Sequence, residues 1–227
     1  MIQLPFSDRA EAGRLLAAEL LRHRLPANVI VLALPRGGVP VGFEVARVFR
    51  APLDVVVVRK LGVPWQPELA MGAIAGSSAQ VLNEGLIAQL RVSRHEVNAA
   101  VTKERAEVER REKLYRAGRP ALNLGDRGVL LVDDGLATGS TMLVAARYVR
   151  ALKPAKIIIA VPVGSREACN LLRKEADDLV CLATPESFMA VGEWFMDFRQ
   201  VSDAEVQGLL EENHQQIQRE ELVHPRR

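Results

Sequence analysis

Short runs of Val, Ile and Leu alternate along this chain with longer segments of helical periodicity. The runs occupy residues 29–34, 53–58, 129–132, 156–163 and 178–183. Uninterrupted apolar runs are typical of strands buried on both faces, and such strands belong to parallel sheets whose crossover helices cover both sides. The sequence therefore predicts an α/β fold with a Rossmann-like parallel sheet and helices on both faces. In sheets of this kind, ligands bind at the carboxyl ends of the strands.

Length and composition favour one globular domain over residues 1–227, because 48% of the residues are hydrophobic and a chain of this size can bury a full core. The net charge of +2 gives no general attraction to nucleic acid, so no nucleic-acid partner is expected. The apolar runs are far shorter than the roughly 20 residues of a membrane span, so we expect no membrane association. The first residues contain no apolar signal core, and a cytoplasmic location is expected. Cys169 and Cys181 are expected to be buried, small apolar side chains.

Two segments interrupt the alternation of strands and helices. Residues 61–78 form a Gly- and Pro-containing excursion, and residues 83–116 form a charged helical stretch. A narrow apolar seam runs along that stretch through Leu90, Val97, Val101, Val108 and Tyr115. The seam favours a solvated helix that lies on the body of the domain, and a subunit interface in a homodimer is the alternative. The polar residues 211–227 are expected to form a frayed end.

The segment VLLVDDGLATGST, residues 129–141, changes from apolar to polar within a single turn. A predicted strand ends at Val132, Asp133 and Asp134 occupy its tip, and a Gly- and Thr-rich turn leads into a helix near Ser140. The unpaired N–H groups of a helix N-terminus and of successive loop residues suit a phosphate. Carboxylates beside a phosphate are expected to accept hydrogen bonds from ligand hydroxyls or to hold a metal ion. A sugar phosphate meets both conditions, and a capped turn is the alternative.

Two common phosphate motifs are absent from the sequence. A P-loop requires a lysine directly after its second glycine, whereas Ser140 follows Gly139 here. A dinucleotide-binding G-x-G-x-x-G is also absent, since Gly37, Gly38 and Gly42 have the wrong spacing. Nucleoside triphosphates and NAD are therefore not the expected ligands.

The segment 129–141 resembles the phosphoribosyl pyrophosphate (PRPP) signature of type I phosphoribosyltransferases. The resemblance implies that the two acids bind the ribose hydroxyls and take part in catalysis, and that the following loop binds the 5-phosphate. The PRPP-binding residues implied here are Asp133, Asp134, Gly135, Ala137, Thr138, Gly139, Ser140 and Thr141. Residues 26–203 follow the element order of that family, and the overall resemblance is closest to bacterial phosphoribosyltransferase-like proteins of unassigned acceptor.

The segment LPRGGVPVG, residues 34–42, follows the first predicted strand and places Arg36 beside two glycines. Without side chains, Gly37 and Gly38 let the backbone approach a ligand closely. The segment is similar to the family's pyrophosphate loop, which implies that Arg36 and the two glycine amides bind the diphosphate of PRPP and that Arg36 is catalytic. An ordinary strand-to-helix turn is the alternative. Lys60, after the second predicted strand, is a further candidate for the same anion, although lysines at strand ends are mostly solvated.

Aromatic residues concentrate in TPESFMAVGEWFMDF, residues 184–198, in a chain with only 4% aromatic residues. The segment resembles the base-binding hood of purine phosphoribosyltransferases. The resemblance implies that Phe188 stacks on the base and that Asp197 meets the metal ion, Mg²⁺. A satellite hydrophobic cluster is the alternative. The expected organisation of the single domain is a core at about 26–184, an insertion at about 61–120 and a hood at about 184–203.

Two positions depart from the hypoxanthine-guanine members of the family. Ala137 stands where those enzymes carry an acid, and Val163 stands where they carry a lysine, so a 6-oxopurine acceptor is not expected. The expected function is Mg²⁺-dependent transfer of the phosphoribosyl group of PRPP to a small-molecule nitrogen nucleophile, a nucleobase, with release of pyrophosphate. The alternative is a regulator, linked to nucleic acid, that binds PRPP or a nucleotide without turnover. No residue stands out as the general base.

Overall fold

The computed structural model describes residues 3–76 and 79–223, so the ends of two predicted segments, 77–78 and 224–227, lie outside the described residues. The strands are β1 Val29–Ala33, β2 Leu53–Val55, β3 Val58–Val63, β4 Gln66–Ala75, β5 Ala79–Leu82, β6 Gly128–Val132, β7 Lys156–Val163 and β8 Asp178–Ala183. The helices are α1 Arg9–Leu20, α2 Gly38–Phe49, α3 Glu84–Gln89, α4 Arg94–Arg116, α5 Ser140–Ala151, α6 Arg166–Leu172 and α7 Asp203–Val223, with a 3₁₀ turn at Val191–Trp194. Within the described ranges, no helix is long and apolar enough to cross a bilayer.

Five strands form a parallel sheet in the order β2-β1-β6-β7-β8, which confirms the predicted fold class. Alternate residues of each central strand enter the two halves of the core. Val31 of β1 packs in the half that contains α1 and α2, whereas Ile30 packs in the half that contains α5 and α6. β1 and β6 are buried along their whole length because helices cover both faces.

The apolar run at residues 53–58 belongs to two sheets, whereas the sequence predicted one strand. β2 ends at Val55, and Val56 donates its N–H to Ala33 O at 3.0 Å. The chain then leaves the parallel sheet, and β3 begins at Val58 in an antiparallel sheet of order β3-β4-β5. This second sheet forms the excursion after residue 61. Apolar character alone does not distinguish a strand that continues from one that changes sheet.

The charged stretch at residues 83–116 consists of two helices, although one continuous stretch was predicted. Arg91, with a φ of 52°, follows the end of α3. Ser93 then caps α4 through reciprocal hydrogen bonds with Glu96, which satisfy the free N–H groups of its first turn. The seam faces the body of the domain, as the sequence favoured, and the buried residues of α4 are Val97, Val101, Val108 and Tyr115. The homodimer stays a prediction.

The C-terminal region forms α7, so the prediction of a frayed end is wrong for residues 211–223. The helix packs through Val206 and Leu210. The side chain of Asn213, which is 3% exposed, accepts a hydrogen bond from Leu53 N–H at 2.8 Å and donates one to Ala51 O at 3.1 Å. These bonds satisfy buried backbone groups at the start of β2. Loss of the two bonds would leave those groups unpaired and lower the free energy of unfolding. The polar composition of this region obscured its single packed face.

The two cysteines differ in burial. Cys169 on α6 is buried, as expected, whereas Cys181 on β8 is only half-buried, contrary to the prediction. The topology brings the two together although they lie on different elements. A hydrogen bond between the thiols lowers the pKa of Cys169 to about 7, and the Cys181 thiol also lies 3.1 Å from Ala183 O.

Candidate functional site

The parallel pairing of β1 with β6 brings the two ligand motifs of the sequence together. Ala33 pairs with Val132 at the last position of the two strands, and Leu34 donates its N–H to Val132 O at 2.9 Å. The Gly-Gly loop, residues 34–38, therefore leaves the sheet beside Asp133 and Asp134, the acid pair. This is the carboxyl edge, where ligands of open parallel sheets bind.

The two glycines of the Gly-Gly loop are required by its closeness to the acid pair. A Cβ at Gly37 would overlap Oδ2 of Asp134, and a Cβ at Gly38 would lie 2.9 Å from the Cα of Asp133. The sequence interpretation gave both amides a role in binding diphosphate. The Gly38 N–H, however, already donates to Leu34 O at 3.0 Å. The glycines therefore first allow the loop to approach the acids, and the Gly37 amide is the better candidate for a ligand.

The acid pair lies in a poorly solvated position. Removal from water raises the pKa of Asp133 well above its usual value, and the neighbouring charge of Asp134 raises this pKa further. Burial also raises the pKa of Asp134, whereas the guanidinium of Arg9 lowers it, since its Nε lies 2.8 Å from Oδ2. Oδ1 of Asp133 accepts a hydrogen bond from Asp134 N–H at 2.9 Å. Two such carboxylates favour a ligand that supplies hydroxyl donors or a cation.

The phosphate loop, residues 135–141, is held on one side and open on the other. Leu136 donates its N–H to Val163 O at 3.0 Å, and the Ser165 hydroxyl donates to Ala137 O at 2.7 Å. Gly139 has a φ of 74°, which favours glycine, and it directly precedes α5. The exposed residues of the loop are Ala137, Thr138, Ser140 and Thr141. The open side thus presents hydroxyls at the N-terminus of a 12-residue helix, an arrangement suited to phosphate.

Lys60 lies within β3 and not at the end of a strand as predicted. Its exposed side chain and Thr141 line two clefts, of about 790 and 530 Å³, that both border the antiparallel sheet. The structure therefore places Lys60 beside the phosphate loop, whereas the sequence interpretation assigned it to the anion of the Gly-Gly loop. An ammonium group here can compensate the charge of a phosphate as a point charge.

Arg36 extends from the Gly-Gly loop toward α4 and α7. Its Nη1 lies 3.8 Å from Oδ1 of Asp203, which also accepts a hydrogen bond from the Tyr115 hydroxyl at 2.8 Å. Burial, followed by the bond to Asp203, raises the pKa of Tyr115 to about 12, so the phenol stays protonated at neutral pH. The sequence did not assign Tyr115 or Asp203 to the site, because they belong to no motif and lie 88 residues apart.

The hood segment covers the start of the phosphate loop. A Cβ at Gly135 would lie 2.6 Å from Cγ1 of Val191, so the hood and the loop are in close contact. Phe188 is half-buried and stacks on Trp194, with ring centroids 6.2 Å apart and 25° between the ring planes. Its predicted role in base binding stays a prediction.

The carboxylate of Asp197 binds an arginine of the hood and not the acid pair in the part of the chain that the structure describes. Its carboxylate binds the guanidinium of Arg199, with the shortest contact at 2.6 Å, and Arg199 lowers the pKa of Asp197 by hydrogen bonding. Its backbone N–H donates to Ser7 O at 2.9 Å. The predicted metal-binding role of Asp197 therefore gains no support from its geometry, because its oxygens already have a cationic partner.

Arg9 is a site residue that the sequence analysis missed. Its Nε donates to Oδ2 of Asp134 at 2.8 Å, although the two residues are 125 positions apart. The side chain is 11% exposed. A parallel bridge between Phe6 and Phe195 brings the start of α1 beside the hood. An arginine in the first turn of a helix is usually solvated, so the sequence carried no signal of this contact.

Sequence and structure comparisons find proteins similar to most of this chain. Residues 8–194 match the family model described as “Phosphoribosyl transferase domain”. The chain is 46% identical over 209 residues to proteins named “Putative phosphoribosyl transferase” in two strains of Mycobacterium tuberculosis, a match that covers 92% of this chain and 47% of those proteins. The chain thus spans about half the length of these relatives. The crystal structure of TT1426 from Thermus thermophilus is 41% identical, with a TM-score of 0.79, and the match covers 91% of this chain and 98% of that one.

Replacing Asp133 by Asn is expected to stabilise the ligand-free protein at neutral pH. Because the folded-state pKa of Asp133 is raised, the folded protein holds this proton more tightly than the unfolded chain, and the free energy of unfolding falls as pH rises between the two pKa values. The amide oxygen can still accept the Asp134 N–H. At pH 7, urea denaturation should show a gain in unfolding free energy larger than the roughly 0.5 kcal/mol typical of surface substitutions.

The gain from Asp133→Asn should shrink below about pH 4, near the unfolded pKa of an aspartate, where the native carboxyl is protonated in both states. Glu186→Gln removes an exposed carboxylate from the hood and is the matched control. Equal stabilisation by both substitutions, or a gain that persists undiminished in acid, would contradict this account of the acid pair.

Proposed function

The chain belongs to the phosphoribosyl transferase domain family, and we propose that it catalyses Mg²⁺-dependent transfer of the phosphoribosyl group of PRPP to a nitrogen acceptor, a nucleobase, with release of pyrophosphate. One observation carries the proposal: the acid pair, the Gly-Gly loop and the phosphate loop meet at one carboxyl edge of the parallel sheet. PRPP presents two ribose hydroxyls, a diphosphate and a 5-phosphate around one sugar ring. These are the groups that the three features are suited to bind.

The acid pair and the phosphate loop would hold the ribose during the reaction. Carboxylate oxygens of Asp133 and Asp134 accept hydrogen bonds from the two hydroxyls, and the residues from Ala137 to Thr141 surround the 5-phosphate. Lys60 adds positive charge on the phosphate side. With both ends of the sugar fixed, the anomeric carbon has a defined position relative to the diphosphate, which lowers the entropic part of the barrier.

The Gly-Gly loop would stabilise the departing diphosphate. The transition state should resemble the oxocarbenium ion of glycoside cleavage, in which negative charge develops on the leaving group. Arg36 and the Gly37 N–H are donors that can face that charge as it develops, and Asp203 lies 3.8 Å from the guanidinium of Arg36. When bound, Mg²⁺ would neutralise further charge on the diphosphate. The carboxylates of the acid pair fit such an ion, since oxygen ligands suit it and since burial, followed by the neighbouring charge of Asp134, raises the pKa of Asp133, a cost that a cation would offset.

The alternative function, a regulator linked to nucleic acid, requires that the basic residues of α4 bind nucleic acid. Arg110 and Arg111 both contact Glu107 at 2.7 Å, and Arg116 contacts Asp54 at 2.8 Å. These ion pairs compensate much of the positive charge on this helix, so the helix attracts a polyanion only weakly. The geometry therefore favours the transferase over the regulator.

Pyrophosphate release tests the transferase directly. With Mg²⁺, PRPP and a panel of nucleobases, the wild-type protein should release pyrophosphate, and Arg36→Ala should lower kcat by about 100-fold, the usual cost of one transition-state donor. Affinity for ribose 5-phosphate, which lacks a diphosphate, should change less than twofold, or about 0.4 kcal/mol. Arg22→Ala, which removes a 79% exposed arginine, is the matched control and should leave kcat unchanged.

One outcome would contradict the transferase assignment, and another would contradict the role given to Arg36. A wild-type protein that binds PRPP yet releases no pyrophosphate with any base would favour the regulator. An Arg36→Ala variant with wild-type kcat would remove Arg36 from the departing diphosphate.

The hood offers an apolar surface with few polar groups for an acceptor. Val163 is fully buried in the cluster that Phe188, Val191 and Trp194 pack against, so it adds no hydrogen-bonding group. Ala137, which replaces an acid of the hypoxanthine-guanine pattern, is also apolar. A pocket discriminates strongly only when its own buried polar groups would be left unpaired. We therefore expect stacking on Phe188 to give affinity for flat bases, without the polar contacts that would favour a 6-oxopurine.

A panel of adenine, hypoxanthine, guanine, orotate and uracil tests the acceptor. Hypoxanthine and guanine should be poor substrates by kcat/KM, and Phe188→Ala should lower kcat/KM for every accepted base by a similar factor, about tenfold for the loss of one aromatic contact. Met189→Ala is the matched control, because Met189 is 85% exposed in the same segment. Rapid turnover of hypoxanthine would overturn the interpretation of Ala137 and Val163. Unchanged turnover in Phe188→Ala would move the base site away from the hood.

A further inference from the structure

The N-terminal segment, residues 4–9, is built into the hood. Phe6 donates its N–H to Trp194 O at 2.9 Å and accepts a hydrogen bond from Met196 N–H at 2.7 Å. The Phe6 ring is fully buried and lies against Phe195, with ring centroids 5.5 Å apart. The hood is therefore a two-part structure, in which a strand-like N-terminal segment pairs with the segment around residues 194–197.

Arg9 connects this two-part hood to the acid pair. Its Nε donates to Oδ2 of Asp134 at 2.8 Å, and its Nη1 donates to Arg199 O at 2.9 Å. The guanidinium also lies 3.9 Å from the centroid of the Phe198 ring. One planar group thus contacts a carboxylate of the acid pair on one side and the hood on the other. In the described ranges, 3–76 and 79–223, Arg9 forms the one ion pair with the acid pair.

The chemistry of arginine suits this double contact. A guanidinium directs its N–H groups in fixed directions within one plane and can stack on an aromatic ring, whereas a lysine ammonium can do neither. With 11% of the Arg9 side chain and 14% of the Asp134 side chain exposed, the pair is largely desolvated. Loss of one partner would leave a poorly solvated charge, so the state of Asp134 and the position of the hood are energetically linked.

We propose that Arg9 is a positioning residue that couples occupation of the ribose site to the hood. The inference rests on the proposed function, since it takes the acid pair as the ribose site. A ribose hydroxyl that bonds Asp134 shares the carboxylate that Arg9 holds, since a carboxylate can accept several hydrogen bonds. Arg9 then shifts or strengthens its contacts with Arg199 and Phe198. The base side of the site, which carries Phe188 beside Trp194, consequently adjusts when the sugar is bound.

Arg9 is not needed to hold the hood on the protein. The backbone bonds of Phe6 to Trp194 and Met196, the bond of Ser7 O to Asp197 and the buried Phe195 ring all fix the hood independently. Removal of the guanidinium should therefore leave the fold intact. It should remove the link between the two halves of the site.

The test uses the natural fluorescence of the hood. The chain contains two tryptophans, and Trp65 lies 57% exposed between β3 and β4, so Trp65→Phe leaves Trp194 as the reporter. In this background, ribose 5-phosphate is titrated into proteins with Arg9 intact, with Arg9→Met, with Arg9→Lys and with the control Arg22→Met. Inorganic pyrophosphate is titrated separately by calorimetry, because within residues 3–76 and 79–223 no hydrogen bond or ion pair joins Arg9 to the Gly-Gly loop that would bind it.

With Arg9 intact, ribose 5-phosphate should change the Trp194 emission. Arg9→Met should weaken ribose 5-phosphate binding by up to about tenfold, because the Asp134 carboxylate loses the guanidinium that holds it in place and must be ordered when the sugar binds. The substitution should also abolish the emission change at saturation. Arg9→Lys should restore part of the affinity without the emission change. Arg22→Met should bind and respond as the parent does. Pyrophosphate affinity should stay within about twofold of the parent in all variants.

Three results would overturn the inference, and they are distinguishable. An Arg9→Met protein with parental affinity and parental emission change would show that Arg9 couples nothing. Binding of ribose 5-phosphate to the parent without any response of Trp194 would show that the hood is insensitive to the sugar. Absence of ribose 5-phosphate and PRPP binding in the parent would remove the proposed function itself, and the inference with it.

Discussion

The whole site depends on the pairing of β1 with β6 as adjacent parallel strands. Their ends carry the Gly-Gly loop and the acid pair, which lie in atomic contact because Gly37 and Gly38 have no side chains. The distance between the acid pair, the proposed hydroxyl-binding group, and the proposed diphosphate donors is thus set by the backbone of a buried sheet. A site fixed in this way is preorganised, and little entropy has to be lost when the ligand binds.

The same closeness has an electrostatic cost. Asp133 and Asp134 are neighbouring carboxylates in a poorly solvated place, and the pKa of each is raised by burial. Arg9 compensates Asp134, whereas Asp133 accepts a hydrogen bond from the backbone of its neighbour. Such a site costs stability in the free protein and becomes favourable when hydroxyls or a cation arrive, which is the usual relation between binding sites and stability.

The sequence predicted the parts of the site in which residue identity follows from local geometry. The parallel sheet, the phosphate loop with its left-handed Gly139 and the Gly-Gly loop are contiguous segments whose composition reflects their own backbone. Arg9, Tyr115 and Asp203 reach the site through tertiary contacts, and nothing in their neighbouring residues signals them. The metal-binding role of Asp197 stays a prediction, and its carboxylate is bound by Arg199, two residues along the chain.

Two other predictions were wrong because one pattern of residues fits two different structures. The run at residues 53–58 is apolar apart from Asp54, yet it changes sheet at residues 56–57, because the main sheet ends with β2 at that edge. The polar C-terminal helix was taken for a frayed end, because its packed face contains only a few apolar residues and the buried Asn213. In both cases, the deciding interactions join residues far apart in the sequence, and single-sequence patterns do not contain them.

Calorimetric titration of Mg²⁺-PRPP into Gly37→Ala tests the central claim most directly. We expect the variant to fold, with unchanged far-UV circular dichroism. Its affinity for PRPP should fall by about 100-fold, because the added methyl group would displace Asp134 and separate the Gly-Gly loop from the acid pair. Gly85→Ala is the matched control, since a Cβ there would lie no closer than 3.6 Å to another group, and it should bind PRPP as the wild type does. Wild-type affinity in a folded Gly37→Ala protein would contradict the claim that the contact between the Gly-Gly loop and the acid pair forms the PRPP site.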